Sequence, residues 1–253
     1  VRYYGDYAGG TDLSAQASHH HVYFGRHEEG VLESEFSGNL VEVCPTGVFT
    51  DKAFSEHYSR KWDLQTAPSV CVGCSVGCNT APGERYGTLR RIVNRYNSEV
   101  NGYFLCDRGR FGFDFVNNRD RLLEPVKRVD NTGELLAEDE VKAVIKEFSA
   151  AGTIGIGSPR ASNESNFALR SMVGEENFYA GYSDSEHESM QLMLELASDP
   201  AFHSPSVREI ESADAVLILG EDVTNVAPRI ALALRQSVRN KAMDLADECR
   251  IPQ

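Results

Sequence analysis

The chain has 253 residues, 41% hydrophobic and 25% charged, the balance of a folded globular protein rather than a disordered one. Its 38 acidic side chains outnumber 25 basic ones, and the resulting net charge of −13 repels phosphate backbones and sets nucleic acid aside as a partner. No apolar run approaches the roughly 18 residues of a helical membrane span, so no direct span is expected.

The sequence starts at Val1 without a basic or apolar leader and stops at Ile251-Pro252-Gln253, which suggests a piece of a longer protein. Residues 1–57 are rich in turns and short extended runs, at Gly9-Gly10, His21 to Gly25 and Leu40 to Val43, and suggest part of a small α+β domain. His19, His20 and His21 are consecutive, so on an extended backbone they point to alternating faces; a solvated strand edge is the expectation. Thr88 to Val93 and Gly102 to Leu105 suit strands, making 58–120 a small β-rich domain. Beyond Asp120 strands and helices alternate. Helices are expected at Glu138–Ser149, at Asn163–Val173 with Asn163 as cap, at His187–Ala197 and from about Val226 past Val238. Thr153–Gly157 and Ala213–Leu219 read as buried strands. This order predicts an α/β parallel-sheet, Rossmann-like domain over 121–253. Gly155-Ile156-Gly157-Ser158 lacks the third glycine of a dinucleotide fingerprint and is read as a tight strand-to-loop turn, and Asp222 alone carries no assignment.

Six cysteines are present, and four follow the pattern Cys71-x2-Cys74-x3-Cys78, then Cys106 after 27 intervening residues. Three thiols within eight residues cannot readily pair as disulfides, but a tight loop can aim them at one polynuclear centre, with Gly73 and Gly77 relaxing the backbone. Soft thiolates select zinc, copper(I) or iron–sulfur clusters. A zinc site with four cysteine ligands usually takes two thiols from each of two knuckles, whereas three from one loop and one from downstream suit a 4Fe–4S cube, with one Cys per iron. The spacing therefore favours iron–sulfur and leaves a zinc-stabilised interaction module as the alternative. Cys44-Pro45 has the form that closes a ferredoxin-type cysteine set, a weak signal in isolation. Cys249 is assigned as a free thiol. Arg108 and Arg110 are candidates to offset charge near Cys106, or to pair with the numerous carboxylates.

The thiol spacing together with Phe104-Leu105-Cys106-Asp107-Arg108-Gly109-Arg110-Phe111-Gly112 resembles the 4Fe–4S domain of molybdopterin oxidoreductases. Asn39-Leu40-Val41-Glu42-Val43-Cys44-Pro45-Thr46-Gly47 and Pro82-Gly83-Glu84-Arg85-Tyr86-Gly87 resemble, more closely, the large iron–sulfur subunits of bacterial NADH:quinone oxidoreductase, respiratory complex I, along essentially the whole chain. That resemblance implies Cys71, Cys74, Cys78 and Cys106 as ligands of one complete 4Fe–4S cluster. It implies Cys44 as the fourth ligand of a second 4Fe–4S cluster whose other ligands precede Val1. The implied domains are 1–57, the C-terminal part of a ferredoxin-like 4Fe–4S domain; 58–120, a 4Fe–4S domain of the molybdopterin-enzyme type; and 121–253, the start of a molybdopterin-oxidoreductase-like α/β domain without its catalytic metal. Electron transfer within a proton-translocating oxidoreductase follows, with no catalysis by this segment alone. The implied partners are the other peripheral-arm subunits, and the implied location is the cytoplasmic face of the bacterial inner membrane. A molybdopterin enzyme such as formate dehydrogenase is the other relative. It carries Lys where Arg108 stands, and a Cys, selenocysteine or Ser metal ligand where Gly181 to Glu188 offers only Ser183 and Ser185.

Overall fold

The computed structural model describes residues 1–57, 59–130, 132–150 and 152–251, so position 58, where the second expected domain begins, and the end of the third lie outside it. The chain divides into two units, Val1–Asn118 with Pro205–Gln253, and Arg119–Ser204.

In the first unit a π-helical turn, Tyr3–Tyr7, leads into the antiparallel pair β1 (Ser14–Gln16) and β2 (Tyr23–Gly25). His19–His21 between them form an exposed 3-10 turn and not the expected strand edge, with His19 at φ 55°. Leu40–Val43, expected to be extended, is a short helix, α1, which turns Leu40 into a core with Tyr4 and Leu13. Burial and a hydrogen bond to Asp12 push the Tyr4 hydroxyl up to about 12. A second short helix, α2 (Lys52–Glu56), is capped by Asp51, whose side chain accepts from the Phe54 amide.

Four strands follow: β3 (Gln65–Thr66), β4 (Ser69–Val70), β5 (Asn79–Arg85) and β6 (Thr88–Asn94). The long β5–β6 hairpin turns through Tyr86 and Gly87 at φ 56° and 74°, the paired positive values of the two-residue turn that matches strand twist. On its other edge β5 pairs with β3 at Gly83 and Glu84 and with β4 at Asn79 and Thr80. Pro82 falls in the interval between those two pairings, where no ladder N–H is needed. Gly102–Leu105 does not join the sheet: Gly102 makes an isolated bridge with Asn97, and the Asn39 side chain rather than a neighbouring strand satisfies the Leu105 backbone. Two short helices, α3 (Asp107–Phe111) and α4 (Asp114–Asn117), end this part.

The second unit holds the hairpin β7 (Val126–Val129) with β8 (Thr132–Leu135), then α5 (Glu138–Ala150), β9 (Gly155–Ile156), α6 (Asn163–Val173), β10 (Phe178–Tyr179) and α7 (Asp184–Ser198). The cap of α6 is Ser162, not Asn163: its side chain accepts from the Ser165 amide. The extensive parallel sheet expected over 121–253 is absent among the described residues, which show mixed α and β structure with small sheets. Its parallel pairing is confined to β9 with β10. Close packing accounts for the glycines at 155 and 157. A Cβ on Gly155 would lie 2.9 Å from Val173, and one on Gly157 2.8 Å from Phe178. The Asn166 amide meets both the N–H and the C=O of Ser158, so that turn is internally satisfied.

The chain then returns to the first unit with α8 (Val207–Ile210), α9 (Val223–Val226) and the 21-residue α10 (Pro228–Glu248), which Pro228 opens at the position where a missing N–H is harmless. Asp222 caps α9 through the Asn225 amide. Ala213–Leu219 is not a strand. It finds no ladder partner among the described residues, and Leu217 and Leu219 are each 80% exposed.

Candidate metal centre

The loop Cys71–Cys78 is closed at its neck by β4 and β5. Val70 pairs with Asn79, and the Cys71 amide donates to the Cys78 carbonyl at 2.8 Å. Gly77 takes φ 65°, which lets the chain reverse before Cys78, and the Gly73 amide donates to Cys71 Sγ at 3.4 Å. Three thiols are thereby carried on one hairpin loop. The fourth, Cys106, caps α3, and its sulfur accepts from the Gly109 amide at 3.4 Å.

Gly109 is where loop and helix meet. A Cβ there would lie 3.1 Å from Cys71 Sγ and 2.9 Å from Leu105, so only glycine leaves room for the Cys71 sulfur beside the Cys106 cap. Cys78 and Cys106 are buried, Cys71 and Cys74 half-buried. Burial, then the neighbouring charges of Cys106, Cys71 and Cys74, push the Cys78 thiol up to about 12, while the Arg229 guanidinium opposes the rise. Burial chiefly raises Cys106 as well, against the Gly109 N–H and with Cys71 and Cys74 adding to it. Four thiolates crowded in a desolvated site repel one another, and bound iron would relieve that repulsion as the protons leave. Among the described residues no three His, Cys, Asp or Glu side chains close on a single metal ion. The donor chemistry, the glycine cradle at 109 and the amides aimed at sulfur fit a thiolate-held cluster.

The Cys106 segment is fastened on both sides. Asn39 donates to the Leu105 carbonyl at 2.7 Å and accepts from its amide at 3.0 Å. Asp107 accepts from the Ser37 hydroxyl at 2.5 Å and the Gly38 amide at 2.7 Å, so both its oxygens are engaged. Arg110, 3% exposed, donates to Asn39 and to Glu42, each at 2.9 Å. Across the loop, fully buried Asn101 accepts from the Asn79 amide and donates to the carbonyls of Asn79 and Arg95 and to the Asn94 side chain. Helix α10 completes the wall: Leu232 packs with Cys106, Ala8 and Phe36.

Of the sequence candidates, Cys71 and Cys106 meet at Gly109, and the charges of Cys71 and Cys74 act on both Cys78 and Cys106. Cys44 stands apart at the end of α1, its sulfur 3.2 Å from the Thr46 hydroxyl, whose hydrogen bond is the main cause pulling the thiol down to about 7. Cys249 is exposed at the end of α10. Arg108 lies over Gly73 and donates to the Asn225 carbonyl, while Arg110 is engaged by Glu42. Ser183 caps α7 in a reciprocal arrangement with Glu186. Sequence reasoning missed Asn39, Asn101 and Arg229. The first two are single amides between apolar neighbours, a pattern that flags a buried backbone clamp once the surrounding elements are known. Nothing in the local sequence ties Arg229 to thiols more than a hundred residues away.

Comparison with known proteins agrees with this geometry. Residues 1–50 match the ferredoxin-like domain of NADH-quinone oxidoreductase subunit 3, and residues 64–118 match the molybdopterin oxidoreductase Fe4S4 domain. Over 248 residues, 97% of its length, the chain is 60% identical to the NADH-quinone oxidoreductase G subunit of Escherichia coli K12 and to that of Yersinia pestis, covering 27% of each. It is 56% identical over 251 residues to the G subunit of Pseudomonas fluorescens, covering 99% of this chain and 28% of that one. The chain spans about a quarter of the length of these relatives, and over that span it is similar to NADH-quinone oxidoreductase G subunits.

Proposed function

We propose that this chain is an electron-transfer segment of an NADH:quinone oxidoreductase, in which Cys71, Cys74, Cys78 and Cys106 hold one 4Fe–4S cluster. The observation that carries the proposal is the seating of Cys71 Sγ against Gly109, which joins the three-thiol loop to the sulfur that caps α3. When bound, such a cluster takes up and releases a single electron. The chain's residues supply burial, amide donors from Gly73 and Gly109 to the sulfurs, and the fastening by Asn39, Asp107 and Arg110 that fixes Cys106.

Cys44 is the fourth ligand of a second 4Fe–4S cluster whose remaining thiols lie outside the present sequence. Residues 1–57, 58–120 and 121–253 form three successive domains, the third being the start of an α/β parallel-sheet domain. The apolar run Ala213–Leu219 would become a strand of that sheet once partners are supplied, a reading supported by the solvent-facing apolar side chains there. The described residues contain no helix long and apolar enough to cross a membrane. The assembled protein works peripherally, on the cytoplasmic side of the bacterial inner membrane, against the other peripheral-arm subunits of complex I, and contributes there to proton-translocating quinone reduction.

Metal and sulfide analysis of anaerobically purified protein tests the four-cysteine assignment. A brown sample is expected, whose iron and acid-labile sulfide fall by about four atoms each when Cys74 is replaced by Ser. A colourless sample with about one zinc per chain would establish the zinc-stabilised module in its place.

A further inference from the structure

We propose that Arg229 is the charge partner of the four-cysteine cluster, donating from its buried Nε and Nη1 toward the sulfurs on the Cys78 side and holding the cluster's reduction potential up. The proposal rests on the reading that these four thiols carry a 4Fe–4S cluster.

Arg229 is only 5% exposed, in the first turn of a 21-residue helix. Its Nη2 donates to Glu211 at 2.5 Å, but Nε and Nη1 have no acceptor in the protein. A buried N–H without a partner is unfavourable, and charged donors more so, hence a ligand that supplies acceptors is the simplest account of two on one side chain. The helix places that side chain at the thiol site by two separate relationships. Leu232, one turn further on, packs against Cys106. The guanidinium Nη2 lies 4.0 Å from where a Cβ on Gly102 would sit, and neighbouring Asn101 is bonded to the residue after Cys78. Of the other two arginines near Cys106, Arg108 donates to a backbone carbonyl, and Arg110 donates to Asn39 and Glu42 and leaves only Nε without an acceptor, whereas Arg229 leaves both Nε and Nη1. The N-terminal end of α10 adds partial positive charge of the same sign.

A cation beside an anionic cluster favours the state with one more electron. Losing it should therefore lower the midpoint. The test is an electron paramagnetic resonance redox titration, with dithionite as reductant, of the full-length subunit in its assembled form. Arg229→Met should shift the reduction equilibrium about tenfold toward the oxidised state, about 59 mV more negative for a one-electron couple. Arg229→Lys should fall between Arg229→Met and wild type. Glu211→Gln, which keeps the guanidinium and removes its counter-charge, should move the potential in the opposite direction. A guanidinium serving only to brace Glu211 would move no potential. If Arg229→Met keeps the cluster at the wild-type midpoint, the proposal is overturned. If Arg229→Met loses the cluster, Arg229→Lys decides, a midpoint below wild type supporting the role and an unchanged midpoint refuting it. A wild-type protein lacking the cluster signal would instead overturn the underlying assignment.

Discussion

Asn39 and Leu105, 66 residues apart, exchange two hydrogen bonds: the Asn39 amide donates to the Leu105 carbonyl, and its oxygen accepts from the Leu105 N–H. One side chain thus does for the residue before Cys106 what a neighbouring strand would otherwise do. The same oxygen accepts from Arg110, whose guanidinium also reaches Glu42 in α1, two residues before Cys44. The segments carrying the two proposed cluster ligands therefore share one buried polar network. Asn39→Ala would strand the Leu105 backbone groups in a dry interior. The expected loss is roughly 2–3 kcal/mol of stability with reduced cluster occupancy, read from urea unfolding and iron content of anaerobic protein. Unchanged unfolding would show the clamp to be dispensable.

Gly109 offers a sharper steric test. In Gly109→Ala the new methyl would crowd Cys71 Sγ and Leu105, and moving Cys71 disturbs the loop that carries three of the four thiols. Iron per chain should drop by more than half. Gly25→Ala, where nothing lies within 4 Å of the added Cβ, should leave it at the wild-type value. Equal occupancy in both variants would argue against a site built around Gly109.

The cysteines separate into three classes in the full-length subunit. Cys74→Ser should release the four-cysteine cluster and open residues 70–120 to protease, because metal binding supplies much of the stability of a small ligand loop. Cys44→Ser should spare that cluster while damaging a different iron signal. Cys249→Ser, at an exposed helix end, should change neither. Loss of the same signal from the Cys44 and Cys74 variants would merge what we assign as two centres.

Acid sensitivity should arise at Asp12. Burial pushes its carboxyl up, but the Tyr4 hydroxyl at 2.5 Å, the Glu33 amide at 3.1 Å and Arg26 at 3.5 Å outweigh that and hold it below its ordinary value of 3.8. A carboxyl whose folded value lies below its unfolded one stabilises the fold above the unfolded value. That contribution fades as pH falls through the folded one. Asp12→Asn should therefore unfold at lower urea than wild type at neutral pH, with the gap narrowing as pH falls below the ordinary carboxyl value of 3.8. A gap that widens in acid would contradict this sign.

The thiol loop was legible because its information is local. Three cysteines and two glycines within eight residues specify a turn that points sulfur inward, and the Cys106 motif is contiguous. The hairpin from Asn79 to Asn94 was half legible: alternation gave Thr88 to Val93, whereas Pro82 hides the strand facing it until the break between β3 and β4 explains how a proline fits. Long-range pairings were not legible. Gly102–Leu105 has strand composition, yet Asn39 takes the place of its partner. Ala213–Leu219 has the apolar run of a buried strand and no partner among the described residues, since a strand needs a neighbour as well as a propensity. Leu40–Val43 shows the reverse, β-branched residues bent into helix to bury Leu40. The seat of Arg229 depends on how a helix 150 residues downstream of Asn79 packs, which periodicity does not encode.

The most direct test of the central claim is an iron-edge anomalous difference map from crystals of anaerobically prepared protein. One compact peak of about four irons bonded to the sulfurs of Cys71, Cys74, Cys78 and Cys106 is the predicted result. A peak at the zinc edge only, or iron density bonded to fewer than four of these sulfurs in a fully occupied crystal, would contradict it.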